Sequence, residues 1–103
     1  MASWTVVARE GEIEPGKARV VDVGDKRIAL CNVDGSIFAI DDVCTHDDGP
    51  LGEGELIDDR IECPRHGALF DVRTGKAVTL PAVYPVDTYP VRVTDGAIEV
   101  EIE

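Results

Sequence analysis

No stretch of this 103-residue chain approaches the ~18 consecutive apolar residues of a membrane-spanning helix. The N-terminus, MASWTVVAREGEIEPGKARV, also lacks the apolar run and small-residue cleavage site of a secretory leader, because charge enters within its first ten residues. The expectation is a cytoplasmic, unanchored protein. Basic residues are scarce: ten Lys and Arg stand against 21 Asp and Glu, for a formal net charge of -11. Phosphate backbones and anionic leaflets are recognised by clustered Lys and Arg, so nucleic-acid and membrane-surface roles are disfavoured. An acidic surface suits solubility and steered docking onto a basic partner patch, at a rate that falls as salt rises. Cysteines number three. An odd number in a reducing compartment argues against a disulfide framework and leaves metal ligation or catalysis to account for any that are exposed. The length leaves room for one core, so residues 1–103 are read as a single domain and a two-domain enzyme is excluded.

Helical periodicity is missing over any ten residues. Period-two alternation is present instead, most clearly at Ile98, Val100 and Ile102 against Glu99, Glu101 and Glu103, and each such run reads as a half-buried strand. Strands are expected near 4–8, 18–23, 26–31, 36–40, 55–57, 60–63, 68–72, 77–79, 86–93 and 97–102. Short turn signals separate them, and the pairs Asp34-Gly35 and Asp95-Gly96 suit turns that need positive φ. This predicts an all-β, antiparallel sandwich or barrel built from hairpins. Pro90 demotes the run 86–93 locally to an edge or bulge. Two Gly- and Pro-bearing segments, 41–54 and 63–67, read as loops, where a rigid β scaffold usually carries its sites.

The chain holds only two histidines, and each lies within three residues of a cysteine: Cys44-Thr45-His46, then sixteen residues, then Cys63-Pro64-Arg65-His66. The competing account, two core cysteines and two surface histidines, leaves that pairing to chance. A classical zinc finger pairs Cys with Cys and His with His and usually sets the histidines on a helix, and neither feature is present. The single residue between Cys44 and His46 makes chelation of one ion by both awkward, whereas an extended loop lets them reach two neighbouring irons. Two thiolates on one iron and two imidazoles on the other form the ligand set of a Rieske [2Fe-2S] centre.

At these residues the chain resembles the Rieske-type ferredoxins that serve bacterial aromatic-ring-hydroxylating dioxygenases. The matching text is C-T-H-x16-C-P-R-H-G-A-L-F-D-V-R-T-G-K, continuing through Pro81 to T-Y-P-V-R-V-T-D-G-A-I-E-V, and it spans most of the chain from about residue 28. The resemblance implies a Rieske fold whose two-loop cluster-binding subdomain occupies about 41–82. It implies one [2Fe-2S] cluster per chain, with Cys44 and Cys63 on the inner iron and His46 and His66 on the outer, solvent-facing one. The segment at Leu80-Pro81 is similar to the family's proline loop that covers the cluster; read alone it is a β-turn.

Respiratory Rieske proteins carry a further cysteine in each loop, joined as a disulfide, and here Gly49 and Arg65 stand in those places. They also carry hydroxyl donors to the cluster sulfurs and the inner-iron thiolate, where this chain has Ala68 and Phe70. Hydrogen bonds to sulfur favour the more negative, reduced form, so losing two lowers the potential. Histidine ligation works the other way, since four thiolates would leave the cluster about two charge units more negative and harder to reduce. Reduction also tightens proton binding at the two imidazoles, which makes the potential pH-dependent at high pH.

With both histidines on iron, no Ser/His/Asp set remains, and a mononuclear oxygenase iron would need two further histidines and a carboxylate. The expected function is therefore a soluble, low-potential carrier of single electrons and not an enzyme. It would run from an NAD(P)H-dependent flavoprotein reductase to a terminal ring-hydroxylating dioxygenase, docking through the His46/His66 face as a monomer. Alternatives are service to another redox system, such as nitrite reduction or iron-sulfur assembly, a structural-zinc interaction module, or a redox-sensing domain. Asp47 and Asp48 could frame the docking face or merely keep the loop wet, and Arg65 could meet a partner carboxylate. Cys31 is expected to be a buried structural thiol, and Trp4 and Tyr84 to be core caps.

Overall fold

The computed structural model describes residues 3–45, 49–65, 67–80 and 82–102. Its strands are β1 (Ser3–Arg9), β2 (Ala18–Val23), β3 (Lys26–Val33), β4 (Ser36–Asp41), β5 (Leu56–Ile57), β6 (Arg60–Glu62), β7 (Leu69–Asp71), β8 (Thr88–Tyr89), β9 (Val91–Thr94) and β10 (Ala97–Ile102). Among the described residues there is no helix. Three antiparallel sheets result, ordered β1-β10-β9, β2-β3-β4-β8 and β5-β6-β7, and none closes into a barrel. The two Asp-Gly turns behave as their chemistry requires. Asp34 and Gly35 have φ of 51° and 95°, and Asp95 and Gly96 have 51° and 80°, so both central residues are left-handed and the strands they join pair tightly.

The β2-β3-β4-β8 sheet is the middle layer. Alternate residues of a strand point to opposite faces, and β3 uses both. Ile28 and Leu30 pack with Ala8, Ile98 and Val100 of the β1-β10-β9 sheet, while Ala29, Cys31 and Val33 pack with Leu56, Ile61 and Phe70 of the β5-β6-β7 sheet. The half-buried strand expected at 26–31 is thus corrected: every residue from Ile28 to Val33 is buried. The one polar member, Asn32, is satisfied, since its Nδ2 donates to Ile13 O at 2.7 Å and its Oδ1 accepts from Gly35 N at 2.7 Å.

Two other expectations change. The strand at 77–79 does not form, and Ala77 makes only a single bridge to Phe70. The run 86–93 is two strands in two sheets, because Pro90 has no N–H to continue a ladder. Before it, β8 pairs with β4 through Ile40 and Thr88; after it, β9 pairs with β10 through Val91 and Val100. Both are edge strands. Residues 42–87, which include the small β5-β6-β7 sheet, leave and rejoin the middle layer at adjacent strands, where Asp41 N donates to Asp87 O at 2.9 Å. Trp4 is half-buried under the Arg92 guanidinium, 4.3 Å above its ring, and Arg92 also pairs with Glu99 at 3.1 Å.

Candidate metal centre

Two loops of the same construction hold the two motif cysteines. In the first, following β4, the Cys44 N–H donates to the Gly49 carbonyl at 2.7 Å; in the second, following β6, the Cys63 N–H donates to the Ala68 carbonyl at 2.7 Å. Each loop therefore closes on the carbonyl five residues past its cysteine, and His46 and His66 fall by sequence inside the closed turns. Gly67, at φ 74°, allows the second loop to turn back, and its N–H donates to Cys63 O at 2.9 Å. Both thiols are buried, at 0% and 1% exposure, in one apolar cluster with Leu51, Ala68, Phe70, Ala82 and Val86.

The expected ligands His46 and His66 lie outside the described residues, as do Asp47, Asp48 and Pro81. No group of three or more metal-binding side chains is found among the described residues, as follows when two of four expected ligands are not among them. What is described fits an iron-sulfur group. Two cysteines are brought from separate loops into one dry, apolar shell, and no disulfide joins any pair of the three cysteines. Gly49 is buried and Arg65 is exposed, so the positions that hold extra cysteines in respiratory Rieske proteins are occupied by a loop-closing acceptor and a surface cation. Ala68 and Phe70 are both fully buried and bring no hydroxyl to this shell. Cys31 shares the cluster, and burial, with the Asp42 charge as a lesser cause, pushes its thiol up to about 12.

The first loop is braced from behind by Asp42. Its carboxylate accepts from the Gly52 N–H, and its own N–H donates to Arg27 O at 2.9 Å. Burial raises this carboxyl above the usual range, against the pull of the Gly52 N–H and of Arg27. Gly52 is required here, because a Cβ would lie 2.2 Å from Val20 Cγ2. Asp42→Ala should strand the Gly52 N–H and lower thermal stability by about 1–3 kcal/mol, whereas Asp42→Asn keeps an acceptor and should cost far less. Thermal unfolding of the two variants tests this, and equal losses would show that the brace is not a hydrogen bond.

The segment before β8 is tied to the first cysteine loop, to β7 and to the turn after β7. Thr79 Oγ1 accepts from Leu69 N at 2.9 Å, Thr45 Oγ1 donates to Tyr84 O at 2.6 Å, and Val86 N donates to Gly75 O at 2.7 Å. Thr45 and Asp42 are the residues that reading the sequence missed. The position of Thr45 between Cys44 and His46 was the available signal. Tyr84, expected as a core cap, is 69% exposed, because its backbone carbonyl and not its ring makes the contact.

The profile of the Rieske [2Fe-2S] domain matches residues 3–90. The chain is 41% identical over 99 residues to the ferredoxin component of biphenyl 2,3-dioxygenase from Rhodococcus jostii strain RHA1, covering 96% of this chain and 92% of that one. It is 47% identical over 92 residues to the 3-phenylpropionate/cinnamic acid dioxygenase ferredoxin subunit of Photorhabdus laumondii, covering 88% and 87%. Among solved structures it resembles a chain in the complex of reduced oxygenase and oxidized ferredoxin of carbazole 1,9a-dioxygenase. There the TM-score is 0.90 and the identity 37%, with 94% of this chain and 91% of that one covered.

Proposed function

Since the chain belongs to the Rieske [2Fe-2S] domain family, we propose that it is the ferredoxin of an aromatic-ring dioxygenase system, taking single electrons from an NAD(P)H-dependent flavoprotein reductase and delivering them to a terminal oxygenase. It is an electron carrier, not a catalyst, and its cofactor is a Rieske-type [2Fe-2S] cluster. Cys44 and Cys63 are assigned to the inner iron and His46 and His66 to the outer iron, within a cluster-binding subdomain at about 41–82 of a single domain. When bound, the cluster gains and loses one electron at a time. The chain works as a monomer in the cytoplasm; no helix among its described residues is long and apolar enough to cross a membrane.

The observation that carries the ligand assignment is the pair of buried cysteines at equivalent places in two hydrogen-bonded loops. Around them, this chain's own residues have three tasks. The paired loop closures hold the thiols in fixed positions, the apolar shell of Leu51, Ala68 and Phe70 keeps water from them, and Ala82 and Val86 of the segment tied to Thr45 add to that shell. Little rearrangement is then needed when charge arrives or leaves. The acidic surface, at a net charge of -11, steers the carrier toward basic partner faces.

Iron and acid-labile sulfide counts with reduced-state EPR test the assignment. About two irons per chain and a rhombic signal of lowered average g are expected, whereas zinc without sulfide would overturn it in favour of an interaction module. The buried Ala68 and Phe70 predict a midpoint potential at the low end of the Rieske range, roughly -150 mV. Ala68→Ser restores one donor and should raise the potential by on the order of 50 mV, about what a hydrogen bond 1 kcal/mol stronger in the reduced state supplies to a one-electron couple. Film voltammetry of both proteins measures this, and an unmoved potential would remove the missing hydroxyls as its cause.

A further inference from the structure

The longest uncharged run of this 30%-charged sequence is AVTLPAVYPV, residues 77–86, yet the structure exposes most of its described large side chains. Of the seven large hydrophobic residues exposed among those described, four fall in this run: Val78 at 37%, Leu80 at 77%, Val83 at 64% and Tyr84 at 69%. Ala82 and Val86, at 4% each, point the other way, into the shell around the cysteines. The backbone that presents the outward residues is held at its entry by Thr79, at its exit by Val86 and near its middle by the Thr45 hydroxyl. Thr45 directly follows Cys44 in sequence, so whatever covers this segment sits beside the first cysteine loop. The stretch that precedes it in sequence, residues 41–76, is acidic, with ten Asp and Glu against four Lys and Arg.

An apolar patch on a fixed backbone loses little conformational entropy when covered, and apolar side chains desolvated at the centre of an interface carry most of its binding energy. We propose that Leu80, Val83 and Tyr84 form a docking lip for the terminal oxygenase, which seats them in an apolar recess rimmed by Lys and Arg. The inference rests on the function proposed above. It draws on charge complementarity and on the structural relative solved as an oxygenase and ferredoxin complex. In the step it serves, one electron leaves the reduced carrier and one oxidised centre of the oxygenase takes it up.

The test uses the cluster-loaded chain, reduced with dithionite and mixed rapidly with the oxidised terminal oxygenase of the Rhodococcus jostii biphenyl 2,3-dioxygenase system. The Leu80→Ser/Val83→Ser double variant should transfer electrons about tenfold more slowly than wild type at low protein concentration. Its EPR spectrum and potential should be unchanged, because both side chains point away from the shell. The wild-type rate should fall as salt rises. Equal rates for variant and wild type would overturn the lip while leaving the carrier function intact. A wild type that delivers no electron to the oxygenase would overturn the function itself. Sedimentation showing a wild-type dimer that the double variant dissolves would also overturn the proposal, by assigning the lip to a second copy of this chain. So would a defect seen only when the flavoprotein reductase is the donor.

Discussion

Cys63→Ser and Cys44→Ser should each yield a colourless protein, with iron and sulfide falling from about two per chain to near zero. The ligand is the thiolate, and a serine hydroxyl neither ionises near neutral pH nor matches the softness of sulfur toward iron. Both cysteines sit at 0–1% exposure inside an apolar cluster, where the one other sulfur donor among the described residues is Cys31. Cys31 is the control. It is buried in the same cluster, but β3 holds it in the middle sheet, outside the two cysteine loops. Cys31→Ala should keep its colour and full iron content, at a modest cost in stability for the small cavity. A Cys31 variant that loses iron while a Cys44 or Cys63 variant retains it would overturn the assignment of ligands.

Gly54→Ala should be the most damaging substitution outside the ligands. A Cβ at Gly54 would lie 1.6 Å from the Glu62 carbonyl oxygen, 2.8 Å from the Glu62 carbonyl carbon and 3.2 Å from Leu51 O. All three are backbone atoms, so no side-chain rotation relieves the clash. The strand bearing Glu62 must move, and with it the Glu62 N–H bond to Glu55 O and the start of the second cysteine loop. A loss of at least about 3 kcal/mol is expected, a large part of the 5–15 kcal/mol typical of a domain. Thermal unfolding and iron content together measure it. A variant with wild-type melting and full iron would mean that Gly54 and Glu62 are not in close approach.

Both cysteine loops and most hairpins were legible in the sequence because their causes are local. Positive φ at Asp34-Gly35 and Asp95-Gly96 follows from the residues themselves, and alternation at Ile98 and Val100 marks the face that is buried. Where the cause lies far along the chain, the sequence misled. The run Ile28 to Val33 has core on both sides because two separate sheets pack against it. Ala77 has one partner, Phe70, and no ladder to extend. Pro90 marks an edge, as its missing N–H predicts, but nothing near it shows that the chain there passes from one sheet to another. The bond from Thr45 to Tyr84 spans 39 positions, and local pattern contains no trace of it.

The closure of residues 42–87 at Asp41 and Asp87 bears on how such a carrier could be rebuilt. The stretch departs from β4 and returns on β8, and the two strands are hydrogen-bonded neighbours. Its ends are thus about one strand spacing apart, roughly 4.8 Å. A segment anchored this way is transplantable. Another stretch of different length could be spliced at the same junction, because flexible-loop closure entropy rises only slowly with length and the β4–β8 ladder fixes the geometry of both ends. The layers formed by β1, β2, β3, β4, β8, β9 and β10 would then act as a common chassis. Redox tuning and partner choice would be exchanged in one piece, carried together on the inserted segment.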